Sequence, residues 1–263
     1  MARLIERYPG AALVTGASAG IGAAFARRLA AEGYELALVA RRAEALEKLA
    51  GELRAAHGVK VHVITQDLGT PDGPAQVKVA TDALGLTVGM LVNNAGYGSI
   101  GLFHELDPAN EARMIDLNCR GTMLITSLYA PAMVQRRNGA ILITASVAGF
   151  QPCPYFATYA ATKAFDLSFS NALWAELRPF GVDVTAVCPG YTRTEFQEVA
   201  GINPEASRGM RSPEQVVAST FRKLGKSPNA VDGFVNVLAT LGSKFAPRRA
   251  VIGTVYRALR KMA

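Results

Sequence analysis

A stretch near the start of the chain, Thr15-Gly16-Ala17-Ser18-Ala19-Gly20-Ile21-Gly22, constrains the fold more than any other feature. It separates a continuous apolar run, Ala11–Thr15, from a helical pattern, Ile21–Glu32. Gly16 allows a sharp turn, Gly20 lets the backbone approach a pyrophosphate, and Gly22 lets a helix pack tightly on the strand. The new helix points its free N–H groups and its positive dipole end at the phosphates. Glycine repeats alone are weak evidence. A strand before the repeat and a helix after it supply the context in which it reads as a dinucleotide site.

The alternation of strand and helix continues. Apolar runs at Ala11–Thr15, Glu35–Ala40, Val59–Gln66, Met90–Asn93, Ala140–Ser146 and Asp183–Cys188 read as strands. Most are continuous rather than alternating, as expected for strands covered on both faces. Ile21–Glu32 and Ala43–His57 read as helices, with Gly33 and Gly58 as C-caps. The expected fold is α/β: a doubly wound, Rossmann-type parallel sheet in a single domain over residues 1–263. Residues 195–212, rich in Gly, Pro and polar groups, read as a mobile substrate loop or small lid. Ser212-Pro213 then starts another helix.

At the end of the second strand a dinucleotide site selects its cofactor. An acid there would bind the ribose hydroxyls of NAD and repel the extra phosphate of NADP. Here the strand ends in Ala40-Arg41-Arg42, and no carboxylate appears until Glu44. Two guanidiniums fit a 2′-phosphate, so NADP is expected over NAD.

Tyr159 and Lys163 stand four residues apart and share one helix face. A free phenol has a pKa near ~10, and a neighbouring ammonium brings it closer to working range. Ser146, thirteen residues before the tyrosine, closes the fifth strand at the carboxyl edge of the sheet, where ligands bind in such folds.

Taken in order, Gly16-x-x-x-Gly20-x-Gly22, Asn93-Asn94-Ala95-Gly96, Ser146, Tyr159-x-x-x-Lys163 and Pro189-Gly190 resemble the short-chain dehydrogenase/reductase family over about residues 8–230. The resemblance implies a catalytic group of Ser146, Tyr159 and Lys163, with Asn118 holding a proton-relay water near the lysine. Lys163 also contacts the nicotinamide ribose. The cofactor set it implies is Gly16, Ser18, Ala19, Gly20, Ile21, Gly22, Arg41, Arg42, Asp67, Leu68, Asn93, Ala95, Gly96, Tyr159, Lys163, Pro189, Gly190, Thr192 and Thr194, with Asp67-Leu68 at the adenine. It further implies hydride transfer between a nicotinamide and a carbonyl or secondary alcohol carbon, and a homodimer or homotetramer.

Substrate would meet Ser146, Val147, Phe150, Tyr155, Phe156 and Tyr191. This apolar, aromatic lining suits a hydrophobic carbonyl or alcohol. An NAD-dependent alcohol or steroid dehydrogenase is the alternative within enzymes. A nucleotide-sensing, non-enzymatic protein on the same fold is the alternative outside them, but the intact catalytic group speaks against it.

The formal charge of +7 lies in no recognisable nucleic-acid motif, so no nucleic acid is expected. Cys119, Cys153 and Cys188 are odd in number and widely spaced, and His57, His62 and His104 are dispersed. They suggest neither a disulfide framework nor a metal site. No apolar signal core opens the chain, so a cytoplasmic protein is expected. Residues 233–263 form a basic C-terminal extension without a single acid, divided by Pro247 into two helical stretches. Such a segment suits a peripheral contact with an anionic membrane, a cap over a lipophilic cleft, or an ordinary helix closing the domain or a subunit interface.

Overall fold

A computed structural model describes residues 3–201 and 210–260. Seven strands form one all-parallel sheet in the order β3-β2-β1-β4-β5-β6-β7. They are β1 (Ala11–Thr15), β2 (Leu36–Ala40), β3 (Val61–Thr65), β4 (Val88–Asn93), β5 (Gly139–Thr144), β6 (Val182–Cys188) and β7 (Asn229–Val231). β1 and β4 are buried along their whole length, as their unbroken apolar runs require. The chain begins with the short α1 (Leu4–Arg7).

One face of the sheet is covered by α2 (Gly20–Ala31), α3 (Ala43–His57) and α9 (Pro213–Lys223), through Phe25, Leu29, Leu46, Leu53, Val216 and Val217. The other is covered by α4 (Gly73–Ala83), α6 (Thr122–Arg136) and α7 (Ala157–Leu177), which bring Val77, Ile125, Tyr129 and Met133 onto Leu13, Leu91 and Ile141. Two parallel cores on either side of one sheet are the doubly wound solution. Gly58 ends α3 in the left-handed conformation, φ +66°, and the Ser212 side chain caps α9.

The strand order reverses between β1 and β4, and the carboxyl edge beside that switch is where ligands bind in open sheets. α5 (Pro108–Ile115) leads into a π-helical turn, Asp116–Gly121. Beyond β6 lie α8 (Phe196–Ala200), then α10 (Phe234–Phe245) and α11 (Arg248–Leu259), the last two separated by Pro247. The expected loop over 195–212 opens in α8, and its residues 202–209 lie outside the described ones. Among the described residues no helix is long and apolar enough to cross a membrane. β7 has no counterpart in the sequence reading. At three residues it is too short to show a period.

Candidate active site

A cavity of about 610 Å³ runs along the carboxyl edge of the sheet, from the glycine turn to α11. That size suits a ligand pocket. At its cofactor end Gly16 takes φ +63°, and a Cβ there would meet Ala95 Cα at 2.9 Å. Gly20 takes φ +55°, and a Cβ on Gly22 would collide with the Gly16 carbonyl oxygen. Gly16 and Gly22 thus meet the needs for a sharp turn and for tight packing, while Gly20 supplies a positive φ where the loop passes Thr194. Ala19, the residue before α2, offers no side chain to cap the first turn. Its N–H groups are left for an anion, and the site therefore fits a dinucleotide pyrophosphate.

Asn94 fixes this turn to the sheet. Its Nδ2 donates to the carbonyls of Thr15 and Gly16 at 3.2 and 3.3 Å, while Thr15 Oγ1 accepts from the Asn94 and Ala95 N–H groups. Asn93 was the residue expected at the cofactor. Instead it is buried and donates to the Thr122 carbonyl and Thr126 Oγ1, tying β4 to α6. Neighbours on a strand point to opposite faces, so only one of the two asparagines can reach the cavity.

Arg41 and Arg42 both line the cavity. Arg41 lies 3.7 Å from Asp67, and Arg42 reaches Ser18 Oγ and, at 2.8 Å, Glu195. Asp67 also accepts from the Gly69 N–H, which closes the turn after β3. Ser18, Ala19, Ile21, Leu68, Ala95, Gly96, Pro189, Gly190, Thr192 and Thr194 complete this end as expected.

At the other end Ser146, Tyr159 and Lys163 face one cavity. Ser146 sits two residues past β5 rather than within it, and its Oγ accepts from the Ala148 N–H at 3.1 Å. Tyr159 packs against the rings of Phe156 and Phe196. Burial pushes its phenol up, while the Lys163 ammonium and a hydrogen bond with Ser146 pull it back. The net shift is upward. Burial pulls Lys163 down, but attraction to Asp166 and Tyr159 outweighs it, and the ammonium is favoured. Lys163 Nζ donates to the Thr144 carbonyl at 2.7 Å and to Asp166 Oδ2 at 2.9 Å. Asp166 is absent from the sequence reading, although its place one turn after Lys163 on the same face was a signal.

Asn118 is buried and lies outside the cavity wall. Its Nδ2 donates to the Tyr97 carbonyl and Thr162 Oγ1, and its Oδ1 accepts from the Tyr97 N–H. Gly96 brings it near the lysine: a Cβ there would lie 2.9 Å from Asn118 Oδ1 and 3.5 Å from Lys163 Nζ.

Of the expected substrate residues, Val147, Phe156 and Tyr191 line the cavity. Phe150 does not. It packs on Ala145, Leu167, Ala186 and Cys188, because the turn Val147–Phe150 directs its last residue behind β5 and β6. Tyr155 does not either. Its φ of +68° turns the side chain aside, and its ring stacks on Tyr256 at 5.5 Å, holding α11 in place. In their stead come Phe196 and Val199 of α8, with Thr254, Val255, Ala258 and Leu259 of α11. Among the described residues no group of three or more His, Cys, Asp or Glu could hold a metal.

The model of the short chain dehydrogenase family matches residues 10–204. A very-long-chain 3-oxoacyl-CoA reductase of Podospora anserina is 36% identical over 83% of this chain, which spans 64% of that relative's length. A structure reported under 7beta-hydroxysteroid dehydrogenase stereoselectivity is 29% identical and superposes with a TM-score of 0.88 over 97% of this chain and 99% of its own. A short-chain dehydrogenase from Sphingobium yanoikuyae in complex with NADPH is 35% identical, with a TM-score of 0.79 over 89% of this chain and 93% of its own. One from Burkholderia phymatum in complex with NAD is 27% identical, also at 0.79 over 89% and 93%.

Proposed function

We propose that this chain, which belongs to the short-chain dehydrogenase family, is an NADP-preferring oxidoreductase that reduces the carbonyl of a bulky, hydrophobic substrate through Tyr159. The observation that carries this reading is the continuity of the cavity. It runs from the glycine turn and the two guanidiniums of Arg41 and Arg42, past Ser146, Tyr159 and Lys163, to an apolar end built by Phe156, Val199, Val255 and Leu259.

A nicotinamide held there would supply or accept the hydride. The N–H groups opening α2 would hold the pyrophosphate, and Arg41 and Arg42 would hold a 2′-phosphate. Ser146 Oγ donates to the substrate oxygen and fixes its direction. Tyr159 Oη gives its proton to that oxygen as negative charge develops there. Lys163 Nζ stays charged, favours the phenolate that results, and would hold the ribose of a nicotinamide cofactor. The rings of Phe156 and Phe196 around Tyr159 keep bulk water from the transfer. Asn118, so close to Gly96 and Lys163, is suited to hold the water that returns the proton.

The apolar end fits a long acyl chain, in line with the 3-oxoacyl-CoA reductase relatives, and a 3-oxoacyl thioester is the first substrate class to test. A steroid ketone is the second, favoured by the superposition over 97% of this chain. The decisive assay follows reduced-cofactor absorbance with 3-oxoacyl thioesters of graded length, steroid ketones and small ketones, each with NADPH and NADH. Consumption of NADPH with none of them would sink the enzymatic reading in favour of a nucleotide sensor.

The reading extends to assembly and surroundings. A homo-oligomer is proposed by analogy of fold alone. Contact with an anionic membrane is proposed from α10, whose outward stripe includes Phe234, Val235, Leu238, Leu241 and Phe245. Residues 233–263 carry Lys244, Arg248, Arg249, Arg257, Arg260 and Lys261 and no acid. Two copies meeting across this face would oppose like charges, whereas an anionic lipid surface would complement both the apolar stripe and the cations.

A further inference from the structure

One face of α7 carries Tyr159, Lys163, Asp166 and Ser170, spaced four, three and four residues apart. Lys163, Asp166 and Ser170 are buried, with 5%, 1% and 0% of their surface exposed. One carboxylate oxygen of Asp166 takes the Lys163 proton bond at 2.9 Å. The other, Oδ1, is buried without a partner, as is Ser170 Oγ. Leaving a carboxylate half satisfied away from water is costly. Exchanging a buried ion pair for apolar side chains of equal volume is commonly neutral or stabilising. Packing therefore gives no reason for an acid at this place, whereas a lysine that must stay charged beside a reacting phenol does.

We infer that Asp166 is a positioning residue for the proposed reaction, keeping Lys163 an ammonium and pinning its Nζ against the Thr144 carbonyl beside Tyr159. Burial acting alone discharges a lysine. The titratable groups facing Lys163 are Asp166 and Tyr159 on α7, Cys119 from the π-helical turn and Cys188 from β6. Burial pushes both thiols up, Cys119 to about 11 and Cys188 to about 12, so neither supplies negative charge at working pH. Burial raises the Asp166 carboxyl too, while the Lys163 ammonium bonded to it at 2.9 Å pulls it back; that bond makes Asp166 the counter-ion. It opposes the phenolate through its own charge and favours it through the lysine that it keeps charged. Without Asp166 the ammonium is opposed by burial and supported only by Tyr159 and the Thr144 carbonyl, and it discharges at a lower pH.

This inference rests on the reading of Tyr159 and Lys163 as the acid–base pair. Tyr159→Phe tests that reading separately: a variant that keeps turnover removes the reading itself. For Asp166 the measurement is NADPH affinity by fluorescence titration between about pH 6 and about pH 10, together with kcat on the most active ketone of the panel. Asp166→Asn keeps the shape and loses the charge. Its affinity and kcat should fall off within this range, about tenfold more than the parent's at the alkaline end, because the parent's ammonium is held above it. An Asn variant whose alkaline limb coincides with the parent's overturns the inference, even if activity is lower throughout, because a uniform loss is structural. Should Asp166→Asn fail to fold, Asp166→Glu carries the test. It keeps the charge and moves it by one methylene, so the limb should stay while kcat drops. A Glu variant with the parent's kcat shows that Nζ does not depend on where the carboxylate stands, and overturns the inference as well.

Discussion

The Arg42 guanidinium lies 2.8 Å from the Glu195 carboxylate and also bonds Ser18 Oγ, so one side chain joins β2, the glycine turn and the residue before α8. Both partners are half exposed, and such pairs are worth little by themselves. The pair matters through competition: Glu195 and a 2′-phosphate would seek the same donors. Replacing Arg41 and Arg42 with Ala should weaken NADPH binding roughly ten- to a hundred-fold, for a charge-assisted contact of ~1.5–3 kcal/mol. NADH binding should barely change. Glu195→Gln should act in the opposite direction and tighten NADPH by a few-fold. Parallel titrations decide this, and equal weakening of both cofactors by the double substitution would make the arginines structural.

Tyr159→Phe removes the hydroxyl and keeps the ring between Phe156 and Phe196. Turnover should fall ~10²–10⁴-fold, the range of a general acid–base group, while NADPH affinity changes far less. Turnover within a few-fold of the parent would give the proton to another residue. Lys163→Ala should lose both turnover and affinity, since Nζ serves the phenol and the ribose.

The sheet was legible because fully covered strands leave largely unbroken apolar runs, as β1, β2, β4 and β5 do, while β6 is interrupted by Asp183 and Thr185. β7 left no such trace, being three residues supplied after a long excursion. The glycine turn and the Tyr159–Lys163 pair were legible because their geometry is local, fixed by spacing within one turn or one helix. Choosing Asn93 over Asn94 failed for lack of strand phase. Phe150 and Tyr155 were misplaced because a short turn and a positive φ redirected side chains that spacing alone put beside the cavity. Thr254, Val255, Ala258 and Leu259 do share one helix face in the sequence, but nothing local says that α11 folds back onto a cleft whose other wall lies a hundred residues earlier.

Glu32 holds the beginning of the chain to the domain. Its carboxylate accepts from the Leu4 N–H at 3.2 Å and pairs with Arg28 at 2.7 Å. Burial works to raise this carboxyl, but the bonds from Arg28 and Leu4 and the nearby positive charges outweigh it, and its pKa is lowered. A carboxylate lowered on folding adds stability above its unfolded pKa, near ~4.3, and loses it as pH falls through the folded value. Glu32→Gln should therefore cost about 1 kcal/mol at neutral pH, as for a part-exposed charged hydrogen bond. The gap from the parent should close as the pH drops well below about 4. Denaturant unfolding at several pH values checks this, and a gap that persists at low pH would assign the effect to packing.

The outward face of α10 gives the last prediction. Val235 and Phe245 are 77% and 86% exposed, and Lys244, Arg248 and Arg249 stand beside the far end of the stripe. An apolar stripe flanked by cations lies in a lipid interface when the surface is anionic, and its affinity falls as salt rises. The intact chain should co-sediment with vesicles containing phosphatidylserine, less so with phosphatidylcholine alone. Val235→Glu with Phe245→Glu should lower that binding at least tenfold, since burying such side chains is worth ~1.5–3 kcal/mol each. Neither residue lines the cavity, so turnover on a small ketone in solution should be unchanged. Reduction of a long-chain substrate presented in the vesicles should fall with the binding. If the parent ignores anionic vesicles the lipid reading is wrong, and if the double variant loses self-association instead the stripe is a contact between copies of the chain.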